Sequence, residues 1–232
     1  MTGLQIFPIV GLPEFAPGDD LAGILAAEDD LQQGDVLIVT QKVVSKAEGR
    51  LETIDTDDPR GHKAIVERES ARILRRRGEL IISETQHGFI CANAGIDLSN
   101  VEAGQAALLP VDSDRSARRI RDVIRGTRNI DVGVIISDTF GRPWRRGVTD
   151  VAIGSAGIGP ILDLRGSNDA LGRELIVTEV CVVDELAAAA DLVMGKSSGH
   201  AAAIIRGVPA DWFRTGSVVD EIVRRPDEDL FR

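Results

Sequence analysis

The alternation of apolar and polar positions divides the chain into many short segments. Two continuous apolar runs, at residues 36–40 and 132–136, read as fully buried strands, β-branched and without a wet face. Shorter strands are expected at residues 4–10, 79–83, 89–92, 105–110, 161–164 and 202–206. Pro8 places the first of these at a sheet edge or bulge. Helical spacing predicts a helix from Asp19 or Asp20 to about residue 31 and another over 179–194. A further helix is expected from an Asp58 cap and Pro59 to Gly78, with Ile65, Val66, Ile73 and Leu74 inward and the arginines mainly wet. A fourth runs from Asp112 or Ser113 to Arg125, closed by Gly126. Residues 40–49 and 93–100 read as polar loops or turns. Residues 151–159 are rich in Gly and Ala, so backbone should come close to something there. Strands outnumber clear βαβ units. The expected fold class is therefore α+β, with mixed sheets and flanking helices in one region over 1–232 that has room for two lobes.

Composition narrows the function. A chain of 232 residues can bury a real core. Its formal net charge of -10 argues against nucleic acid, whose binding needs phosphate neutralisation, but leaves room for a local basic pocket. Cys91 and Cys181 match no zinc spacing and suggest buried thiols in a reducing compartment. His62, His87 and His200 are scattered, against a His-rich metal site. The N-terminus lacks the pattern of a signal peptide and no run has the length of a membrane span, so a cytoplasmic protein without a membrane partner is expected.

Candidate chemistry gathers at 130–150. The apolar run ends at Ser137-Asp138-Thr139, which puts a carboxylate and a hydroxyl at a strand's C-terminal end. These are hard oxygen donors suited to Mg²⁺ or Mn²⁺, and Arg142, Arg145 and Arg146 behind them suit phosphate or carboxylate. The same stretch also reads as a strand end whose Asp and Thr cap a turn. After the strand at 36–40, Lys42, Lys46 and two hydroxyls fall within a short span, a plausible phosphate site or a solvated turn. Asp97, Ser99 and Asn100 crowd after Gly95, as Asx turns, a metal ligand or a base-reading amide would. Two glycine-bearing stretches carry less. Residues 154–159 reverse the dinucleotide fingerprint, and Gly195-Lys196-Ser197 ends a helix where a Walker loop opens one.

Taken together, several loops resemble one family. They are Gly11-Leu12-Pro13-Glu14-Phe15, Thr40-Gln41-Lys42-Val43-Val44-Ser45-Lys46, Gly95-Ile96-Asp97-Leu98-Ser99-Asn100 and Ser137-Asp138-Thr139-Phe140-Gly141-Arg142-Pro143-Trp144, followed by Glu179 to Glu185 and Ala189 to Leu192. In this order they resemble the coenzyme F420-0:L-glutamate ligases, over about residues 6–206. The resemblance implies a two-lobed fold that is neither P-loop nor Rossmann, in a homodimer. It implies a reaction in which GTP phosphorylates the carboxylate of the F420-0 precursor and L-glutamate then displaces phosphate to form an amide, with further γ-linked additions. Mg²⁺ or Mn²⁺, and K⁺, would be required.

Carried over by position, Leu12, Pro13, Glu14, Phe15, Gln41, Lys46 and Asn100 would bind GTP. Asp97, Asp138 and Thr139 would hold the metal, with Lys46 and Asp138 as the catalytic pair. Gln41 stands where relatives often carry Ser, and Lys196 where many carry an acidic or amide side chain. No C-terminal nitroreductase-like flavin domain is expected. The rival readings are a non-catalytic nucleotide-binding module and a metal-dependent phosphohydrolase. The retained Asp97, Asp138, Thr139 and Lys46 speak against the first, and the lack of a nucleophilic D-x-D against the second.

Overall fold

Val36, Leu37, Ile38 and Val39 are wholly buried, as are Val134, Ile135 and Ile136, and the two runs lie side by side. This is the centre of the computed structural model, which describes residues 3–55, 58 and 61–230. In chain order the elements are β1 (Gln5–Pro8), α1 (Leu21–Ala26), β2 (Val36–Thr40), α2 (Gln41–Ala47), β3 (Leu51–Thr53), α3 (Lys63–Glu69), β4 (Ser70–Arg77), β5 (Leu80–Thr85), β6 (Ile90–Ala92), β7 (Gln105–Ala107), α4 (Ser113–Arg128), β8 (Gly133–Arg142), β9 (Arg145–Ala156), β10 (Ile161–Asp163), β11 (Glu179–Cys181), α5 (Val182–Met194), β12 (Ala202–Arg206) and α6 (Val218–Glu221). The main sheet has the order β1-β12-β2-β8-β9. Only β2 and β8 are parallel; the other pairs are antiparallel. Unbroken burial along β2 requires cover on both faces. Helices α1, α4 and α5 supply it. The pairs β3–β7 and β10–β11 and the sheet β4-β5-β6 surround this centre, with a separate small cluster of Val66, Ile81 and Ala94. The mixed α+β class is the expected one.

The main sheet follows the pattern closely. Strands β2 and β12 have the expected limits, and β1 with Pro8 is an edge strand. Buried Asp35 accepts two hydrogen bonds from the Arg206 guanidinium, at 2.8 and 2.7 Å, and so ties the start of β2 to the end of β12. Asp20 and Asp112 are the N-caps of α1 and α4, accepting from Gly23 N and Arg115 N.

Five expectations are corrected. The helix drawn from 58 to 78 is only α3; residues 70–77 form β4, which turns at Gly78, φ 56°, into β5. Arginine is a good helix former, and pairing in a hairpin overrides that propensity. The proposed start at Pro59 lies outside the described residues. Residues 41–47, read as a loop, form α2, whose Val43 and Val44 are buried in a helix too short to show a period. Helix α4 continues through Gly126 and closes at Asn129 in the left-handed conformation. Strand β8 does not stop at Asp138; it continues to Arg142, and β9 returns beside it after Pro143 and Trp144. Residues 179–181, placed in a helix, pair instead with β10.

Gly154 and Gly126 make opposite predictions. A Cβ on Gly154 would lie 2.3 Å from the Ser113 carbonyl carbon, backbone against backbone. Gly154→Ala is expected to cost about 2–3 kcal/mol in chemical denaturation. Gly126 lies inside α4 with open space around it. Gly126→Ala is expected to stabilise by about 0.5–1 kcal/mol.

Candidate functional site

Strand directions explain why residues far apart in sequence share one edge. In the parallel pair, Thr40 lies opposite Ser137. The chain leaving β2 into α2 and the Asp138-Thr139 pair of β8 therefore emerge together. Strand β12 is antiparallel to β2, and Thr40 N donates to Ala201 O at 2.9 Å. The segment before β12, with Lys196 and His200, thus reaches the same edge. Strand β1 is antiparallel to β12 and ends there too, delivering the loop with Leu12 to Phe15. Ligands of open sheets commonly bind where neighbouring strand ends diverge in this way. Here the edge opens into a cleft of about 970 Å³.

Leu12, Pro13, Glu14, Phe15, Gln41, Lys46, Asp97, Asn100, Asp138 and Thr139 all line this cleft. Asp97 arrives from outside the main sheet. Its backbone exchanges hydrogen bonds of 3.0 and 2.9 Å with Ala107, and its carboxylate meets Lys42 Nζ at 2.9 Å and Ser99 N at 2.7 Å. Those bonds keep Asp97 below the usual carboxylate range although burial works against them. Lys46 is largely covered, and its ammonium meets Glu14 Oε2 at 2.8 Å. Glu14 itself is 93% exposed, so the pair is a weak one and the lysine can exchange it for a stronger anion. Glu48, the neighbouring acid in sequence, instead accepts from Ser116. Gln41 is buried, and its amide nitrogen donates to Ser45 Oγ at 2.6 Å and Leu108 O at 2.9 Å. Both its side-chain donors are thereby occupied.

Asp138 has the most perturbed carboxyl of the cleft. Burial, with Asp97 and Asp150 nearby, pushes it up to about 7, against a hydrogen bond of 2.8 Å from Thr139 N and the nearby Lys196 ammonium. Asp150 was not among the expected site residues. It is buried and accepts from Ser137 Oγ at 2.9 Å and Thr139 Oγ1 at 2.6 Å. Only the β8–β9 register, with Thr139 opposite Asp150, reveals it. Lys196 donates to Thr139 Oγ1 and stands 3.8 Å from Asp150. Arg142, Arg145 and Arg146 are exposed on the β8–β9 hairpin and do not line the cleft. Cys91 is buried and Cys181 half-buried; both are free thiols, and burial pushes each up to about 12. Among the described residues no helix is long and apolar enough to cross a membrane.

The donor set fits a divalent cation. Six carboxylates line the cleft (Glu14, Asp97, Glu102, Asp138, Asp150 and Asp191) against the ammonium groups of Lys42, Lys46 and Lys196. A cation beside Asp97 and Asp138 would relieve the repulsion that disfavours ionised Asp138. Among the described residues no three His, Cys, Asp or Glu side chains form a metal-holding group. The candidate ligands are two carboxylates and a hydroxyl, a set that waters or phosphate oxygens would complete.

The sequence model of the family described as F420-0:Gamma-glutamyl ligase matches residues 10–207. The chain is 41% identical to the coenzyme F420:L-glutamate ligase of Methanothermobacter thermautotrophicus, with 99% of each chain covered. It is 42% identical to the protein of the same name from Methanopyrus kandleri, covering 99% of this chain and 98% of that one. For the Archaeoglobus fulgidus protein of that name the identity is 40%, with 99% and 96% covered.

Metal-free protein offers a check on Asp138. Its folded carboxyl is raised, so the folded chain holds the proton more tightly than the unfolded chain. Stability should therefore fall as pH rises from the ordinary carboxylate range towards about 7, and stay lower above it. Asp138→Asn is expected to raise the melting temperature of metal-free protein at pH 8 by about 3 °C or more, with little gain at pH 4. Differential scanning calorimetry at both pH values decides it; an equal change at both would reject buried charge as the cause.

Proposed function

The chain belongs to the F420-0:gamma-glutamyl ligase family, and from that membership we propose that it is a GTP-dependent ligase adding L-glutamate to the F420-0 precursor. The observation that carries the nucleotide part is the meeting of Lys46, Asp97, Asp138 and Thr139 in one cleft. A lysine suits phosphate, and carboxylates with a hydroxyl suit the metal that accompanies it. Dependence on Mg²⁺ or Mn²⁺ and on K⁺, and a homodimeric state, belong to the same proposal.

The chemistry is phosphoryl transfer followed by acyl transfer. The precursor's carboxylate oxygen takes the γ-phosphoryl group and GDP leaves. The amine of glutamate then attacks the acyl carbon, the C–O bond to phosphate breaks, and phosphate departs with the electron pair as the amine loses a proton. A bound divalent ion would neutralise charge on the phosphates. Lys46 would hold a phosphate after exchanging Glu14 for it. Asp97 and Asp138 would fix the ion, beside a Thr139 hydroxyl held by Asp150 and Lys196. Gln41, with its amide committed to Ser45 and Leu108, would shape the wall of the cleft rather than donate to the nucleotide. Nothing in this sequence of steps needs a covalent enzyme intermediate, because positioning and charge neutralisation lower both barriers.

Purified protein would be incubated with precursor, GTP, Mn²⁺ and L-glutamate, and the products weighed. The expected result is a precursor heavier by one or more glutamate residues, with phosphate released only when precursor and glutamate are both present. Phosphate release from GTP alone would identify a phosphohydrolase instead. Lys46→Ala is expected to lower kcat/KM for GTP by about 100-fold or more, the loss of a charged phosphate contact. Unchanged kinetics would return Lys46 to a surface pair with Glu14.

A further inference from the structure

One end of the expected metal site already holds a positive charge. The Thr139 hydroxyl donates its proton to Asp150 Oδ1 at 2.6 Å and accepts a hydrogen bond from the Lys196 ammonium. Lys196 Nζ also stands 3.8 Å from Asp150 Oδ1, and the Asp150 side chain is only 4% exposed. The same ammonium acts electrostatically on Asp138 and on Asp191. One lysine therefore serves three carboxylates and the one hydroxyl among the candidate ligands. A hydroxyl that already donates to a carboxylate and accepts from an ammonium is a poor partner for a metal ion, and an ammonium repels a divalent cation at that distance.

We propose that Lys196 is a built-in cation that occupies the Thr139–Asp150 end of the acidic wall, so that the chain holds a single divalent ion per cleft, at Asp97 and Asp138. The assignment rests on the ligase reading above for the identity of the nucleotide. The position of the loop supports it: Gly195, at φ 58°, ends α5 and turns the chain so that Lys196 reaches across to β8. Mutual exclusion follows from the geometry. With Lys196 in place, the Thr139–Asp150 oxygens are neutralised by the protein itself. With a neutral side chain there, Asp150 is left as a buried carboxylate that needs another cation.

The test counts metal ions. Wild type, Lys196→Arg and Lys196→Gln would be dialysed to equilibrium against Mn²⁺, alone and with a non-hydrolysable GTP analogue, and bound Mn²⁺ measured per chain. Electron paramagnetic resonance on the same samples reads whether ions are single or spin-coupled. Circular dichroism checks that the exposed substitutions leave the fold intact. With the analogue, wild type and Lys196→Arg are expected to hold one Mn²⁺ with a mononuclear spectrum. Lys196→Gln, neutral and offering a carbonyl oxygen, is expected to hold two, with a coupled spectrum. Two ions in wild type, or one in Lys196→Gln, would overturn the proposal. A wild-type chain that binds the analogue without Mn²⁺ would overturn it as well. A chain that binds neither would instead overturn the ligase reading beneath it.

Discussion

The parallel pairing of β2 with β8 is the constraint on which the site depends. Its register, Thr40 opposite Ser137, makes two buried strands end level with each other. From that edge, α2 carries Lys42 and Lys46 and the extension of β8 carries Asp138 and Thr139. Strands β1 and β12 run so that the Leu12–Phe15 loop and the Lys196 segment join them. A slip of one residue in this pair would offset Thr40 from Ser137 and shift the lysines of α2 relative to Asp138 and Thr139 of β8. The apolar core thus sets the geometry of the polar groups of the site.

The electrostatics of the cleft run against those of a simple anion site. Carboxylates outnumber ammonium groups among the lining residues. Nucleotide phosphates and a carboxylate acceptor would be repelled unless cations come with them. The ion pairs of Lys42 with Asp97 and of Lys46 with Glu14 hold charges ready in partly wet surroundings. Asp138 is held up by burial and by its acidic neighbours, and Lys196 relieves part of that load. A site of this kind would bind its anions in company with metal, which would reconcile an overall charge of -10 with the anionic substrates proposed above.

Much of the main sheet was legible in the sequence because its strands are buried on both faces and unbroken. Residues 36–40 and 202–206 carried their own limits. The outer parts were not. Residues 70–77 hold arginines that suit a helix, and only the partner strand β5 makes them a strand. Helix α2 is shorter than two full periods and is defined by what Val43 and Val44 bury. In the site, the hard-oxygen logic picked out Asp97, Asp138 and Thr139, and the family resemblance added the Leu12–Phe15 loop. Asp150 carried no local signal, because its importance comes from facing Ser137 and Thr139 across a hairpin. Gln41 occupies its expected place, but its neighbours claim its amide, and no spacing rule registers that. The three arginines after Asp138 lie exposed on the β8–β9 hairpin, outside the lining of the cleft.

The central claim is that the nucleotide phosphates, the divalent ion and the reacting carboxylate meet at the shared end of β2 and β8. A crystal structure with Mn²⁺ and a non-hydrolysable GTP analogue tests it most directly. The account predicts the γ-phosphate within hydrogen-bonding distance of Lys46 Nζ, with an anomalous Mn²⁺ peak joining it to Asp97 and Asp138. A nucleotide seated away from this strand edge, or an Mn²⁺ peak that touches neither carboxylate, would contradict it.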